Sequence, residues 1–529
     1  MKDRFFRKSG FLFAVFLLAF ASAAVFYAFR EYWVFYTPNM WFIGGAMGLF
    51  FILLANAALA LTLYGLRRYG CRREYEIPFY RKKWFSVLCV ISAVLSLLAT
   101  VAVACILVFG GAETDRVVLL YLKRMAPWIV LVIGAAVAVV MLPACKGRKK
   151  AVIAALLCAA VVLVSVALAF PLTPYRITSD PLVLDTGADY SVVFATSDKG
   201  TGFLEYEYNG TAYRTYAQES GRIIGDRLIH SVHVPYQHLR NNTYTVGSTR
   251  VIEAYSYGSR LGKTVTSQSY AFTAPKGSEA EYLVLSDWHS YVDRAYAAVS
   301  KLGHYDAVLL LGDAAAGMDF EEQAADDIVK FGGTLTHGSM PAVFVRGNHD
   351  TRGGFADKLP SFLGLDSLYY TVAMGDITFV VLDSGEDKED GHIEYGGLNA
   401  FTQHREQMVE WLQNAEISGK HKIALSHAWQ ICEPEPELSH AAWQALDDAG
   451  VRFLLSGHKH VCRFLSDEKE DEQLFLSEFP QIAGYIDGGI ADKNYVASKI
   501  TVSAAGVGFL AKDTAGNAVL DMFLPWTDR

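Results

Sequence analysis

Five long apolar stretches fill the first third of the chain, at residues 11–29, 41–65, 84–109, 128–144 and 151–170. Each is near the ~20 residues a helix needs to cross a bilayer core. Only short charged loops separate them, and they have no polar face to show to water. Residues 1–170 are therefore read as a membrane region of about five transmembrane helices. Pro171-Leu172-Thr173-Pro174 ends the last of them, because neither proline can continue a helix without losing a hydrogen bond. Residues 175–275 change to short alternating runs rich in Val, Tyr and Thr. The runs 203–208 and 211–216 flank Asn209-Gly210, which supplies the positive φ angles of a tight hairpin. Further strands are expected at 230–234, 243–246 and 267–273, so residues 171–277 are read as a small β-sandwich. From 278 to 529 apolar runs alternate with amphipathic helices: strands at 282–285, 307–311, 342–345, 379–382, 423–425 and 453–455, and helices at 292–302 and 320–331. That is the pattern of an α/β layered domain.

Charge divides the chain at the same place. Residues 1–174 hold 19 Lys+Arg against 6 Asp+Glu, and the remainder holds 28 against 49. The basic residues collect at the N-terminus (Lys2, Arg4, Arg7, Lys8), in the second loop (Arg67 to Lys83) and in the fourth (Lys146 to Lys150). A cytoplasmic N-terminus and an extracytoplasmic C-terminal part follow. Ala21-Ser22-Ala23 after the first apolar run leaves open a cleaved signal peptide, which would put the same part outside. The five stretches contain no Asp, Glu, Lys, Arg or His, which argues against an ion pathway. The acidic remainder would be repelled by phosphate polymers, so no nucleic-acid surface is expected. Of seven cysteines only Cys432 and Cys462 lie outside the apolar third, and a disulfide or two free thiols both fit.

The residues that carry chemistry fall just past the expected strand ends, where α/β folds place their sites. In order they are Ser286-Asp287-Trp288-His289, Gly312-Asp313, Arg346-Gly347-Asn348-His349-Asp350, Ser426-His427 and Gly457-His458-Lys459-His460. A phosphate ester resists attack because its anionic oxygens repel a nucleophile. Its hydrolysis needs concentrated positive charge and a deprotonated water at neutral pH, which two metal ions on mixed carboxylate and imidazole ligands supply.

This series resembles that of the calcineurin-like metallophosphoesterases, whose D-x-H, GD, GNH(D), H and GHxH elements all occur here in family order. The resemblance implies a fold of two sheets flanked by helices. It implies that Asp287, His289 and His460 hold one metal, that Asn348, His427 and His458 hold the other, and that Asp313 bridges them. It makes His349 the general acid, oriented by Asp350. The middle segment resembles the fibronectin-like domain of purple acid phosphatases, but Ala314-Ala315-Ala316 stand where those enzymes carry a ligating tyrosine. Nitrogen and oxygen ligands suit Mn, Fe, Zn or Ni. Arg346 is a candidate for a phosphate oxygen, with a salt bridge as its alternative, and His392 is a candidate pocket residue. The expected activity is extracytoplasmic hydrolysis of phosphate mono- or diesters through a metal-activated hydroxide, with the membrane bilayer and a phosphate ester as partners. Two alternatives come from the five apolar stretches: a lipid-phosphate or pyrophosphate hydrolase that uses them, and a membrane receptor or assembly protein with a non-catalytic metal platform.

Overall fold

The computed structural model describes residues 174–526, except 256–257, 396 and 492–493, together with Ala160. The five apolar stretches, their topology and the signal-peptide alternative lie outside the described residues. Among the described residues no helix is long and apolar enough to cross a membrane. Residues 173–390 and 399–529 form one compact unit that holds every element labelled below, and residues 391–398 lie outside it.

The labelled elements are β1 (Leu182–Asp185), β2 (Tyr190–Tyr208), β3 (Asn242–Tyr255), β4 (Gly258–Thr266), β5 (Ala280–Leu285), α1 (Val292–Val299), β6 (Ala307–Leu310) and β7 (Pro341–Phe344). They continue with β8 (Tyr370–Met374), β9 (Ile377–Val381), α2 (Phe401–Asn414), β10 (His421–Leu425), α3 (Pro436–Asp448) and β11 (Phe453–Ser456). Last come α4 (Glu470–Glu478), β12 (Ala483–Ile486), β13 (Asn494–Ser503), β14 (Gly506–Asp513) and β15 (Ala518–Pro525). The first sheet runs β15-β14-β13-β5-β6-β7-β1-β2-β3-β4 and the second β8-β9-β10-β11-β12. The neighbours β5-β6-β7 and β9-β10-β11-β12 are parallel.

The strands at the centre are buried on both faces, which is why they read as unbroken apolar runs. Their alternation still sorts the side chains. Tyr282 and Val284 of β5 and Phe379 and Val381 of β9 meet in the core between the sheets. Leu283 and Leu285 face α1 and the helical run 321–336, while Val380, Ala424 and Leu454 face α2, α3 and α4. The result is two sheets with helices on both outer faces.

Two expectations change. The described part of residues 171–277 does form strands, and Tyr208 pairs with Thr211 across Asn209-Gly210, both in the left-handed region. But the segment does not close a sheet of its own. Val183 and Leu184 of β1 pair in parallel with Pro341 and Ala342 of β7, so the β-rich segment extends the first sheet of the α/β layers. The apolar run 182–184 needs a partner on an otherwise unpaired strand edge, and β7 offers one. Second, the helix expected at 320–331 runs on to Thr336 through a π-helical turn, Ala325–Lys330. That turn carries the buried Asp327, whose carbonyl accepts the Trp288 indole N–H at 2.8 Å and whose carboxylate accepts the Ser290 hydroxyl at 3.0 Å. Cys432 and Cys462 are free thiols.

Phe379 is fully buried between the sheets, edge-on to the Tyr282 ring at 5.1 Å. Phe379→Ala should cost about 3–5 kcal/mol of stability, read as a lower denaturant midpoint with native secondary structure retained before the transition. An unchanged midpoint would mean the two sheets do not share this core.

Candidate metal centre

Every cluster residue sits on the first few positions after a parallel strand: Asp287 and His289 after β5, Asp313 after β6, Asn348 and His349 after β7, His427 after β10, His458 and His460 after β11. Bringing five loops to one point requires unusual backbone. Asp287, His289, Asp313, His458 and His460 all have positive φ, between 39° and 68°. Non-glycine residues avoid this region, and strain of this kind persists only where the surroundings hold it. The glycines act through contact. A Cβ on Gly312 would lie 2.3 Å from the Gly347 nitrogen, and one on Gly457 would lie 2.6 Å from an Asp287 oxygen. The loops therefore pack backbone to backbone.

Three overlapping groups have ligand atoms within 4.8 Å of one another: Asp287, His289 and His460; His289, Asp313 and His349; Asp313, His427 and His458. In each carboxylate one oxygen is tied to backbone and the other faces inward. Asp287 accepts the His458 N–H at 2.8 Å, and Asp313 accepts the His349 N–H at 2.8 Å. The inner Asp287 oxygen is buried and accepts no hydrogen bond, although Nε2 atoms of His460, His289 and His427 lie 3.3, 4.0 and 4.0 Å away. The inner Asp313 oxygen lies 3.2 Å from His427 Nε2 and 3.6 Å from His289 Nε2, facing both groups.

The imidazoles are set by their other nitrogen. His427 Nδ1 meets the Leu311 carbonyl at 2.6 Å and His460 Nδ1 the Ile490 carbonyl at 2.8 Å. A ring that donates from Nδ1 presents a lone pair at Nε2, the arrangement of metal-ligating histidines. The inner atom of the Asn348 amide lies 3.2, 3.1 and 3.2 Å from Asp313 Oδ2, His427 Nε2 and His458 Nδ1. An amide oxygen at that point meets only acceptors and calls for a cation between them, whereas an amide nitrogen there would donate to all three. An orphaned carboxylate oxygen and converging lone pairs together fit bound metal. The seven expected ligands are thus brought together.

Residues 281–462 match the family model described as calcineurin-like phosphoesterase. This stretch is a calcineurin-like metallophosphoesterase domain. The chain is accordingly a metal-dependent phosphoester hydrolase. Among solved structures it is similar to the anchor GAP50 of the Plasmodium inner membrane complex, at 12% identity over 48% of this chain and 90% of that one, TM-score 0.33. It is also similar to a predicted phosphoesterase of Streptococcus pneumoniae, at 12% identity over 47% and 98%, TM-score 0.24. A metallophosphoesterase of Sphaerobacter thermophilus aligns at 15% identity over 42% and 84%, TM-score 0.23. No curated protein sequence matches.

The electrostatics of the phosphoesterase site follow from its crowded carboxylates. Burial opposes the charged form of His427, but Asp313 and Asp287 outweigh it and push the imidazole up to about 10. Burial, then the charges of His427 and Lys459, press His458 down to about 3. Burial and the neighbouring Asp313 charge push Asp350 up to about 7.

Two assignments need correction. Asp350 does not orient His349: its oxygens accept the backbone N–H groups of Asp313, Ala314 and Gly347 at 2.9, 3.0 and 2.9 Å. It is a buried brace that clamps the loop after β6 to the loop after β7. His349 instead has its Nδ1 on the Ala316 carbonyl at 3.0 Å. Arg346 is committed to Asp383 through two contacts of 3.2 and 2.5 Å, and Asp383 is shared with His404 at 2.7 Å. The salt-bridge alternative holds there, because a fully buried Asp383 needs a cation more than solvent-facing phosphate does. His392 is not a member of the three ligand groups.

Sequence reading missed Arg352 and Asp487. Arg352 Nη1 lies 3.4 Å from His349 Nε2. Asp487 accepts the N–H and hydroxyl of Ser286 at 3.0 and 3.2 Å, steadying the loop that carries Asp287. Neither stands in a patterned motif, since both act through tertiary contact.

A bound metal should stabilise the fold by mass action, by about 2.7 kcal/mol at a hundredfold excess over Kd. Chelation of the full-length protein should therefore lower Tm, and divalent metal should restore it. Asp287→Asn and Gly312→Ala should each abolish most of that metal-dependent shift. A shift that persists in both variants would place the metal elsewhere.

Proposed function

We propose that the chain is a membrane-anchored phosphoesterase whose catalytic domain works on the extracytoplasmic side, hydrolysing phosphate mono- or diesters. The observation that carries the chemistry is the convergence of two carboxylates, four imidazoles and one amide oxygen on adjacent points, with His349 at their edge. The five apolar stretches and the basic loops between them support the anchoring and the orientation.

In this reading Asp287, His289 and His460 hold one cation, Asn348, His427 and His458 a second, and Asp313 both. Bound cations supply positive charge for the phosphoryl oxygens and a deprotonated water at neutral pH. The rest falls to the chain. Asp350 and the Gly312–Gly347 contact keep the Asp313 and Asn348 loops in register. The imidazolium form of His349 delivers its Nε2 proton to the leaving oxygen; the ring is aimed by the Nδ1 contact with the Ala316 carbonyl, and burial, with Arg352 acting against Asp313, holds its pKa below the usual imidazole range. A second reading, a lipid phosphate as substrate, is favoured by a number of apolar stretches beyond what anchoring needs.

The test uses full-length protein in detergent with an aryl phosphomonoester, an aryl phosphodiester and a lipid phosphate, each with Mn, Zn or Fe. Asp313→Asn should remove turnover with every metal. His349→Ala should lower kcat about 10²–10⁴-fold with KM little changed, and the loss should grow as the leaving alcohol becomes more basic. A loss independent of the leaving group would rule out His349 as the acid. Turnover confined to the lipid phosphate would select the second reading. Digestion of the catalytic domain by protease added outside intact cells checks its side.

A further inference from the structure

The loops after β10 and β11 carry His427 and His458, and one carboxylate lies against both loops. Glu433 stands in the connection 426–435 that leads from β10 to α3. Its Oε2 lies 3.3 Å from Lys459 Nζ and 3.9 Å from His458 Nε2. The same two loops also touch through backbone, the Gly457 N–H donating to the His427 carbonyl at 2.8 Å.

The connection is built to present this carboxylate. Ile431 is fully buried and has a φ of 70°, a region that a β-branched residue enters only where its surroundings hold it there. Its side chain packs in the core between the second sheet and α2–α4. On the other side of Glu433, Glu435 accepts from Arg405 Nη2 at 2.8 Å and from the Thr402 hydroxyl at 2.7 Å, both on α2, and Arg405 is itself fully buried. The chain is thus pinned just before and just after Glu433.

His458 is turned the opposite way from His427 and His460. Those two rest Nδ1 on backbone carbonyls and aim Nε2 inward, whereas His458 aims Nδ1 inward, 3.2 Å from the Asn348 amide. With the amide oxygen inward, a cation lies between the two groups. With the amide nitrogen inward, it donates to Nδ1. Either way Nδ1 supplies a lone pair, so the proton of the neutral ring sits on Nε2, the atom that faces Glu433. At 3.9 Å the carboxylate acts on that N–H through its charge instead of a short hydrogen bond. A carboxylate behind a ligating imidazole fixes its tautomer and makes it a stronger ligand.

We propose that Glu433 is a positioning residue for the cation held by Asp313, Asn348, His427 and His458. Its charge sets the His458 ring, and its contact with Lys459 ties the loop after β11 to the loop after β10. The assignment rests on the metal-ligand reading above and deepens it.

The experiment is calorimetric titration of manganese(II) into metal-free, full-length protein in detergent. His458→Asn and His460→Asn identify which binding step belongs to which ligand group. Glu433→Gln should weaken the step that His458→Asn removes by about 10–100-fold and leave the step that His460→Asn removes unchanged. Glu433→Asp should recover part of the loss, because the charge returns on a shorter arm. General destabilisation would weaken both steps, so equal weakening of the two in Glu433→Gln would overturn the assignment. Wild-type affinity at both steps would overturn it as well. Ester turnover separates the underlying reading: a wild-type protein that binds manganese in both steps yet cleaves no ester would sink catalysis, while a selective loss in Glu433→Gln would still support the positioning role.

Discussion

The structure depends on one electrostatic constraint: two buried carboxylates and four imidazoles point electron pairs at neighbouring positions inside a protein interior. Such an arrangement is costly without positive charge, since unpaired buried charge is among the most expensive things a fold can hold. The Asp313 and Asp287 carboxylates raise the neighbouring His427 imidazole above its usual range, and rigid backbone holds the arrangement in place. Positive φ at five of the clustered residues is the conformational side of the same cost. Both burdens are carried by a scaffold whose central strands are buried on both faces.

The carboxylates outside the cluster extend this logic. Asp350 spends both oxygens on three backbone N–H groups and so couples two loops without adding a ligand. Asp487 does the same for the loop after β5, and its other oxygen accepts the Ser498 hydroxyl of β13 at 2.5 Å. Asp327 ties the Trp288–Ser290 stretch to the π-helical turn. Each ligand-bearing loop after β5, β6 and β7 thus has a buried acid behind it. Asp350 and Asp487 act on backbone N–H groups, which positions a loop more firmly than a contact to a flexible side chain would, while Asp327 holds the Ser290 hydroxyl and the Trp288 indole.

The expected ligands were legible in the sequence because each follows a strand end by two to four positions, and three of them, Asp313, Asn348 and His458, stand directly after a glycine. Local spacing encodes that geometry, and Gly312, Gly347 and Gly457 mark where loops must touch. The layered α/β pattern was legible for a similar reason, since runs such as 282–285 and 308–311 have room for side chains only in a doubly covered sheet. What failed involved partners distant in sequence. Nothing local tells Asp350 to bond backbone instead of the adjacent His349, or Arg346 to pair with Asp383, 37 residues away. The joining of β1 to β7 spans more than 150 positions, and a short apolar strand such as 182–185 fits a closed sandwich as well as a shared sheet.

Arginine placement shows how such choices settle. Arg346 and Arg352 flank the same loop, and each has a buried carboxylate, Asp383 and Glu386 respectively. Asp383 is fully buried and accepts from both Arg346 and His404, and the Arg346 guanidinium lies over the Phe401 ring. Glu386 grips Arg352 along one edge, and the opposite edge meets His349. An arginine held edge-on keeps a directional donor face, whereas one whose neighbours close over it keeps only its charge. The two carboxylates, not the two arginines, therefore decide how each guanidinium is held.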